Sequence, residues 1–524
     1  MAPLHRPPPV RSARAPLLAA GALALLAARP AAAADYTVAA GGDWCAVLSA
    51  TLPGDRVLLG PGTHTTGCAL TLSGVAGSPI TLAAADPLDP PRLSPTDGSA
   101  AILSWTGSHL VVEGLTFGPH AAGEAGLRLL PDTTGEVRGV ELRGNQLVDL
   151  GGVGLEAAAA GALYEDIVVV ENTMARLGGA GVALGCSAGA VDCRVGSATV
   201  EANLIEDTGL SGAGAGVELR PDSAATIARN VIRRSPGALI DVHGGLAQLP
   251  ADGAGNVLGR IEANRLGPPT SGAAIRVYGG PTLVRNNVVI GGTDGGILSV
   301  EGPVPGQLDR IYLLGNTVLA SGGDAITLLG WSTGVDLAMQ NNAVLQEDRL
   351  GEGLPTPGGA VAVGGNQSCA EPALCFADRA ALDLSPTGPL LGGAIIAVHN
   401  HLDVDLCGLP RVLPGDAVGA LGAESALLTG WGTAGAPADL YCPSPDSGTA
   451  DGADGADGTT DGADGGGGDG GSGDDVVVRR VPAYARAKEG GGFGCAAAPG
   501  GPAVAALLAA ALAGVRRRRR LSGP

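Results

Sequence analysis

Seven polar side chains recur at matching places in short apolar segments: Glu218 and Arg220 in GVELR, Asp241 and His243 in LIDVH, Arg276 and Tyr278 in AIRVY, and Glu301 directly after GILSV. Brought together, they suit acidic-sugar chemistry. β-Elimination needs a base for the proton α to a uronate carboxylate and a cation for the charge that develops there. Arg276 can serve as base or neutraliser, and His243 or Tyr278 can move a proton. The carboxylates of Glu218, Asp241 and Glu301 can hold calcium or orient the bases. Glu218 and Asp241 are also a candidate carboxylate pair for glycoside hydrolysis.

Something regular must hold them. Eight asparagines, at 145, 172, 203, 230, 264, 287, 316 and 342, are each followed two places on by an apolar residue: Leu147, Met174, Ile205, Ile232, Leu266, Val289, Val318 and Val344. A Gly-rich turn and a second short strand follow each. The spacing of 23 to 34 residues fits one coil of three short strands, with loops inserted at the turns. Period-two alternation in Ala274-Ile275-Arg276-Val277 and Gly216-Val217-Glu218-Leu219 predicts strands. An Asn at each bend can stack on its neighbours and satisfy turn backbone groups, so these residues are structural. The predicted fold is all-β, a right-handed parallel β-helix.

On that register the outward residues of the strand after the Gly-rich turn run Glu156, Ala183, Glu218, Asp241, Arg276, Ser299 and Thr327. Beside them run Ala158, Gly185, Arg220, His243, Tyr278, Glu301 and Leu329. Rungs about 4.8 Å apart would gather the seven polar residues into one patch over four rungs. Opposite charges on adjacent rungs, such as Asp241 and Arg276, also stabilise a sheet surface with no further role.

The rungs TIARNVIRRSPGALIDVHGG and TLVRNNVVIGGTDGGILSVEG resemble the repeat of the pectin-lyase-like β-helix superfamily, over residues 107–345. LPGDRVLLGPGTHTTG and SPITLAAADP are similar to the N-terminal rungs of polysaccharide lyases of the chondroitinase and alginate lyase type. DVDLCGLPRVLPGDAVGALGAE resembles the tail that closes such solenoids. The resemblance implies that polysaccharide lies along the strand after the Gly-rich turn, with Arg220, Glu301 and Trp331 as substrate contacts. The chain departs from the lysine-and-arginine pair of those lyases: Lys488, far outside the repeats, is its single lysine. An arginine-based mechanism stays open. Trp44 and Trp105 are assigned to the N-terminal cap, and His399, His401, Asp403 and Asp405 to a polar closing loop rather than a metal site.

Both ends carry addressing signals. Arg6, Arg11 and Arg14, the apolar run Ala15 to Ala28, and Pro30 with four alanines have the layout of a signal peptide cut near Ala34. Eight of the nine cysteines fall into near couples, Cys45/Cys68, Cys186/Cys193, Cys369/Cys375 and Cys407/Cys442, as an oxidising compartment allows, though proximity does not establish connectivity. Absence of any CxxC argues against zinc. The formal net charge is −19, and nine aspartates lie in the Gly-rich stretch 446–475, which cannot bury enough apolar surface to fold. Nucleic acid is not the partner of such a chain.

The last segment has Cys495, an apolar stretch and Arg516 to Arg520. It resembles the myxobacterial-type C-terminal sorting signal, which implies a sorting protease, a lipidated Cys495, and anchorage at the outer cell surface or release from it. The expected organisation is a signal peptide (1–34), a cap with first rungs (35–106), the β-helix (107–345), closing rungs (346–442), a disordered Asp/Gly-rich linker (443–490) and the sorting segment with its hydrophobic helix (491–524). The expected function is a monomeric, surface-held β-helix that binds or cleaves acidic polysaccharide, as a lyase or a glycosidase. The rival is a non-catalytic structural or adhesion protein.

Overall fold

The computed structural model describes residues 33–121, 124–186, 193–212, 214–221, 223–243, 259–300, 310–319, 323–329, 336–345, 361–368, 375–378 and 383–386, with 394, 406, 419 and 420. Linker, sorting segment, Glu301, Trp331, Cys495 and the residues 399–405 lie outside the described residues.

Three parallel sheets run the length of the coil. The first has 14 strands, from Asp35–Val38 to Val361–Gly364; the second has 12, from Thr63–His64 to Gln367–Ser368; the third has 10, from Cys68–Thr71 to Ile326–Leu329. Each turn of chain adds one strand to each sheet, so the architecture is a parallel β-solenoid. Among the described residues, the pair Phe376–Asp378 and Asp383–Pro386 is an antiparallel exception.

The apolar positions explain the winding. On the first sheet Leu82, Val112, Leu142, Val169, Val200, Ile227, Ile261, Val284, Leu313 and Met339 stack in register, each at most 1 % exposed. On the second, the apolar residues two places after each Asn form the inward column, extended upstream by Leu93 and Phe117. No coil can bury its apolar face alone, and stacking supplies the cover.

The asparagines form one continuous ladder. In each step the backbone N–H and the Nδ2 of one Asn donate to Oδ1 of the next; Asn172 reaches Asn203 at 2.9 and 3.0 Å, and Asn230 reaches Asn264 at 3.0 Å twice. Nδ2 also closes the bend on backbone carbonyls, as Asn172 does on Leu142 and Val170. The residue before each Asn adopts a left-handed backbone. Glycine fills several of these places, but Glu171, Ala202, Arg229 and Ala263 hold φ of 57°, 54°, 54° and 56°, a conformation that costs an L-residue about 1–2 kcal/mol. Asn366 adds a further rung, accepting from Asn342 at 3.0 and 2.8 Å. It escapes the sequence rule because the residue two places on is Ser368.

The open upper end is closed by the helix Trp44–Ser49, capped by Asp43, whose side chain accepts from the Ala46 N–H at 2.9 Å. Trp44 and Leu48 are fully buried, and the Cys45–Cys68 disulfide fastens the helix to the third sheet. Trp105 departs from expectation: it is not part of the cap but an inward residue of the strand Ala101–Thr106, between Leu70 and Leu129. Cys186–Cys193 also forms, and Cys375 is disulfide-bonded.

The lower end is covered from outside. From about Leu283 onward, outward positions of the first two sheets become apolar and buried: Leu283, Leu314 and Ala338 on the first, Val288, Leu319 and Ala343 on the second. The later chain meets this region where the Gly419 N–H donates to the Asn341 carbonyl at 2.8 Å and the Ala420 N–H to Thr317 Oγ1 at 3.0 Å.

Candidate functional site

The third sheet places six of the seven expected residues side by side. Glu218, Asp241 and Arg276 are direct partners on three successive strands, Val217–Leu219, Ile240–Val242 and Ile275–Val277. Arg220, His243 and Tyr278 follow one residue beyond Leu219, Val242 and Val277, which are themselves partners, so they form the adjoining column. Upstream the first column continues through Ala183 and Glu156 to Arg128.

The register corrects the downstream end. Arg276 faces Leu298, and Val277 faces Ser299, so Ser299 is inward and fully buried, not outward. Val300 consequently takes the place beside Tyr278 that was expected for Glu301, and pairs onward with Leu329. The segment Ile297-Leu298-Ser299-Val300 carries apolar residues in both parities, so its own pattern cannot choose a face. The stack Ile240, Ile275, Ile297, Ile326 chooses it. The patch therefore spans three rungs and ends against aliphatic side chains.

Within it the charges are paired in two ways. Glu218 and Arg220 lie on one strand and meet through Nε–Oε1 at 3.0 Å and Nη2–Oε2 at 3.1 Å, while Nη1 of Arg220 donates to the Gly185 carbonyl at 3.4 Å. That guanidinium is used on every side. Asp241, with a side chain 10 % exposed, accepts from Arg276 of the next rung through Nη2 at 2.6 Å and Nε at 3.3 Å. Nη1 of Arg276 has no hydrogen-bond partner among the described residues and its side chain is 32 % exposed. Its N–H groups remain available to a further acceptor.

Tyr278 stands between two neighbours. The His243 ring stacks on it at 4.9 Å between centroids with 21° between planes, and the Arg276 guanidinium carbon lies 5.3 Å from its centroid. The rings stack on each other along the column, so their polar rims rather than their faces are left for a ligand. His243 Nε2 is 3.9 Å from Asp241 Oδ2, too far for a hydrogen bond.

Burial works against the charged form of Arg276, but the hydrogen bond and charge of Asp241 outweigh it and hold the guanidinium above its ordinary range. Asp241 thus holds Arg276 in its charged form. Burial pushes the Tyr278 phenol up, against the pull of Arg276 and with the help of Asp241. At neutral pH it keeps its proton.

Calcium does not fit this patch. Both carboxylates are already chelated by arginines, Val300 stands where the third was expected, and no cluster of three or more ligating side chains occurs among the described residues. Within the stretch between Pro268 and Gly272, Thr270 bonds back to Ser235 of the preceding turn, through its N–H at 2.7 Å and its hydroxyl at 3.0 Å.

A second charged column was missed. Four residues after successive asparagines stand Asp149, Arg176, Asp207 and Arg234, all with left-handed backbones. Arg176 chelates Asp149 at 2.6 and 2.9 Å, and Arg234 chelates Asp207 at 2.7 and 2.8 Å. Reading residues at a fixed offset from each Asn would have exposed it. Its pairs span neighbouring rungs and fasten the bend after the second sheet.

These features define a class: a parallel β-solenoid with a polar patch on its third sheet. No protein-family model matches the chain, and no curated protein matches it. Among solved structures, the chain is similar to an alginate lyase from Paenibacillus sp. strain FPU-7, at 16 % identity over 64 % of this chain and 96 % of that one, with a TM-score of 0.39. It is similar to a mannuronic acid specific polysaccharide family 6 lyase from human gut microbiota, at 14 % identity over 63 % and 82 %, TM-score 0.38. The pectate lyase Pel9A aligns at 14 % identity over 74 % and 96 %, TM-score 0.31. None of these likenesses assigns a role to a residue of this chain.

Proposed function

We propose that the protein is exported, held at the cell surface through Cys495, and binds and cleaves acidic polysaccharide by β-elimination at the third-sheet patch. The observation that carries this reading is Arg276, held by Asp241 through Nε and Nη2, with the Tyr278 ring beside it and the His243 ring stacked on Tyr278.

Arg276 receives the uronate carboxylate and stabilises the charge that builds on it. His243 in its neutral form takes the proton α to that carboxylate. The electron pair left behind forms a carbon–carbon double bond as the β carbon–oxygen bond breaks, and Tyr278 gives its proton to the departing oxygen. Glu218 fixes Arg220 and thereby the upstream wall of the patch. Hydrolysis by Glu218 and Asp241 is less well supported, since each carboxylate is already engaged by an arginine. The rival reading, a display scaffold without catalysis, draws support from the same pairing.

Purified protein incubated with alginate, pectate and glycosaminoglycans should generate ultraviolet-absorbing unsaturated ends. Absence of such ends and of binding with every polymer would leave the scaffold reading. Cys495→Ser should release the protein into the medium; retention at the surface would overturn the anchoring role.

A further inference from the structure

The alanine run before the first strand offers two cleavage registers, because Ala31-Ala32-Ala33 and Ala32-Ala33-Ala34 both present the small-x-small pattern that signal processing reads. The fold treats the two products differently. Ala34 is built into the first rung: its carbonyl accepts from the Arg56 N–H at 2.8 Å, and its own N–H donates to Asp55 Oδ1 at 2.8 Å. Ala33, one residue earlier, is exposed.

Asp55 is the unusual partner. It ends the turn Leu52-Pro53-Gly54-Asp55, is 4 % exposed, and uses its other oxygen to accept from the Leu52 N–H at 2.8 Å. The N–H groups of Leu52 and Ala34, together with Tyr36, hold its carboxyl below the usual carboxylate range. No cation pairs with it among the described residues; the nearby Arg56 is bound to Asp35 at the surface, 3.4 Å away. A buried carboxylate served by neutral donors alone is a costly arrangement that a positive charge on one donor would relieve.

We infer that processing cuts between Ala33 and Ala34, and that the α-ammonium so created on Ala34 pairs with the Asp55 carboxylate, locking the first strand at the upper edge of the solenoid. This rests on the export reading proposed above and shifts the mature start one residue upstream of the boundary at 34/35. A cut after Ala34 would remove both hydrogen bonds, taking the Ala34 donor from Asp55 Oδ1 and the acceptor from the Arg56 N–H at a sheet edge. The lock is made only after the leader is gone, so the uncut precursor has a looser first rung than the mature protein.

The test begins with intact mass and N-terminal sequencing of the protein recovered from the envelope or the medium. Ala34 as first residue is expected, and Asp35 as first residue would overturn the inference. A chain retaining residues 1–33 would instead refute the export reading. Hydrogen exchange then addresses the ion pair. Placing Gly-Ser before Ala34 restores an amide there and should speed exchange of the Leu52 and Arg56 amides roughly tenfold, with no such change in an Asp55→Asn background. Equal acceleration in both backgrounds would show that the ammonium does not act through Asp55. Should Asp55→Asn fail to fold, acetylating the mature N-terminus removes the charge and keeps one N–H; unchanged exchange after acetylation would overturn the ion pair.

Discussion

Two columns of polar side chains climb this solenoid on different faces, and they use the same stacking to opposite ends. In the asparagine ladder each side chain repeats its neighbour, is buried, and spends its hydrogen bonds on the next rung and on the bend. Within each column of the third-sheet patch no residue repeats its neighbour. The side chains are partly exposed, and the pairing is incomplete at Arg276. The β-solenoid turns a repeat into a column, and whether a column is structure or site depends on whether its last donors and acceptors are used. The Asp149–Arg176–Asp207–Arg234 column shows an intermediate case, exposed yet paired rung to rung.

Breaking the ladder should have the largest effect. Asn230→Ala strips the donors to Val200 and Asn264 and the acceptor used by Asn203, so roughly 3 kcal/mol of stability should be lost, read as a shift in the urea midpoint. A midpoint unchanged by this substitution would remove the ladder from the list of forces that hold the fold.

In the patch the order of effects should reverse. Arg276→Gln should reduce product formation about a hundredfold or more while moving the urea midpoint by less than the ladder variant does. Arg276→Lys, which keeps charge but loses the fork, should recover little. If Arg276→Gln unfolds the protein without an independent loss of binding, the patch belongs with the ladder as structure.

Tyr164 gives a pH-dependent contrast with both. Fully buried, its hydroxyl donates to the Leu129 carbonyl at 3.0 Å and accepts from the Ala159 N–H at 2.9 Å. Burial pushes its phenol up to about 12, with the Ala159 bond opposing. The fold therefore favours the protonated form. Its contribution is complete below the ordinary tyrosine range near 10 and is lost as pH rises through 12, about 3 kcal/mol in all. Tyr164→Phe should flatten that alkaline limb in a stability-against-pH series.

The smallest effect belongs to the exposed column. Asp149→Asn should cost less than about 1 kcal/mol and fade in high salt, measured by thermal melting. A larger, salt-insensitive loss would place this column with the buried ladder.

Much of the architecture was legible in advance because one bend chemistry is repeated. An Asn followed two places on by an apolar residue marks both the ladder and the inward column, so eight rungs follow from it directly. The same rule passes over Asn366, whose Ser368 breaks the apolar half of the signature. It also gives no warning that Trp105 lies in a strand of the third sheet rather than in the cap, because one large apolar residue reads alike in a plug and in a strand. The six patch residues were placed correctly relative to one another, since their strands alternate strictly. Ser299 was misplaced where alternation failed, and Val300 holds the place expected for Glu301, which lies outside the described residues.

By itself, then, the sequence determined the parallel winding, the buried ladder and the grouping of Glu218, Arg220, Asp241, His243, Arg276 and Tyr278, because period-two burial and a recurring bend are local properties. Only the tertiary structure decided which side of GILSV faces outward, which of two arginines keeps a free edge, and which alanine is tied to Asp55. Each of those depends on contacts between rungs 20 or more residues apart, where stacking and register, rather than the residues' own preferences, choose among arrangements that the local pattern leaves equal.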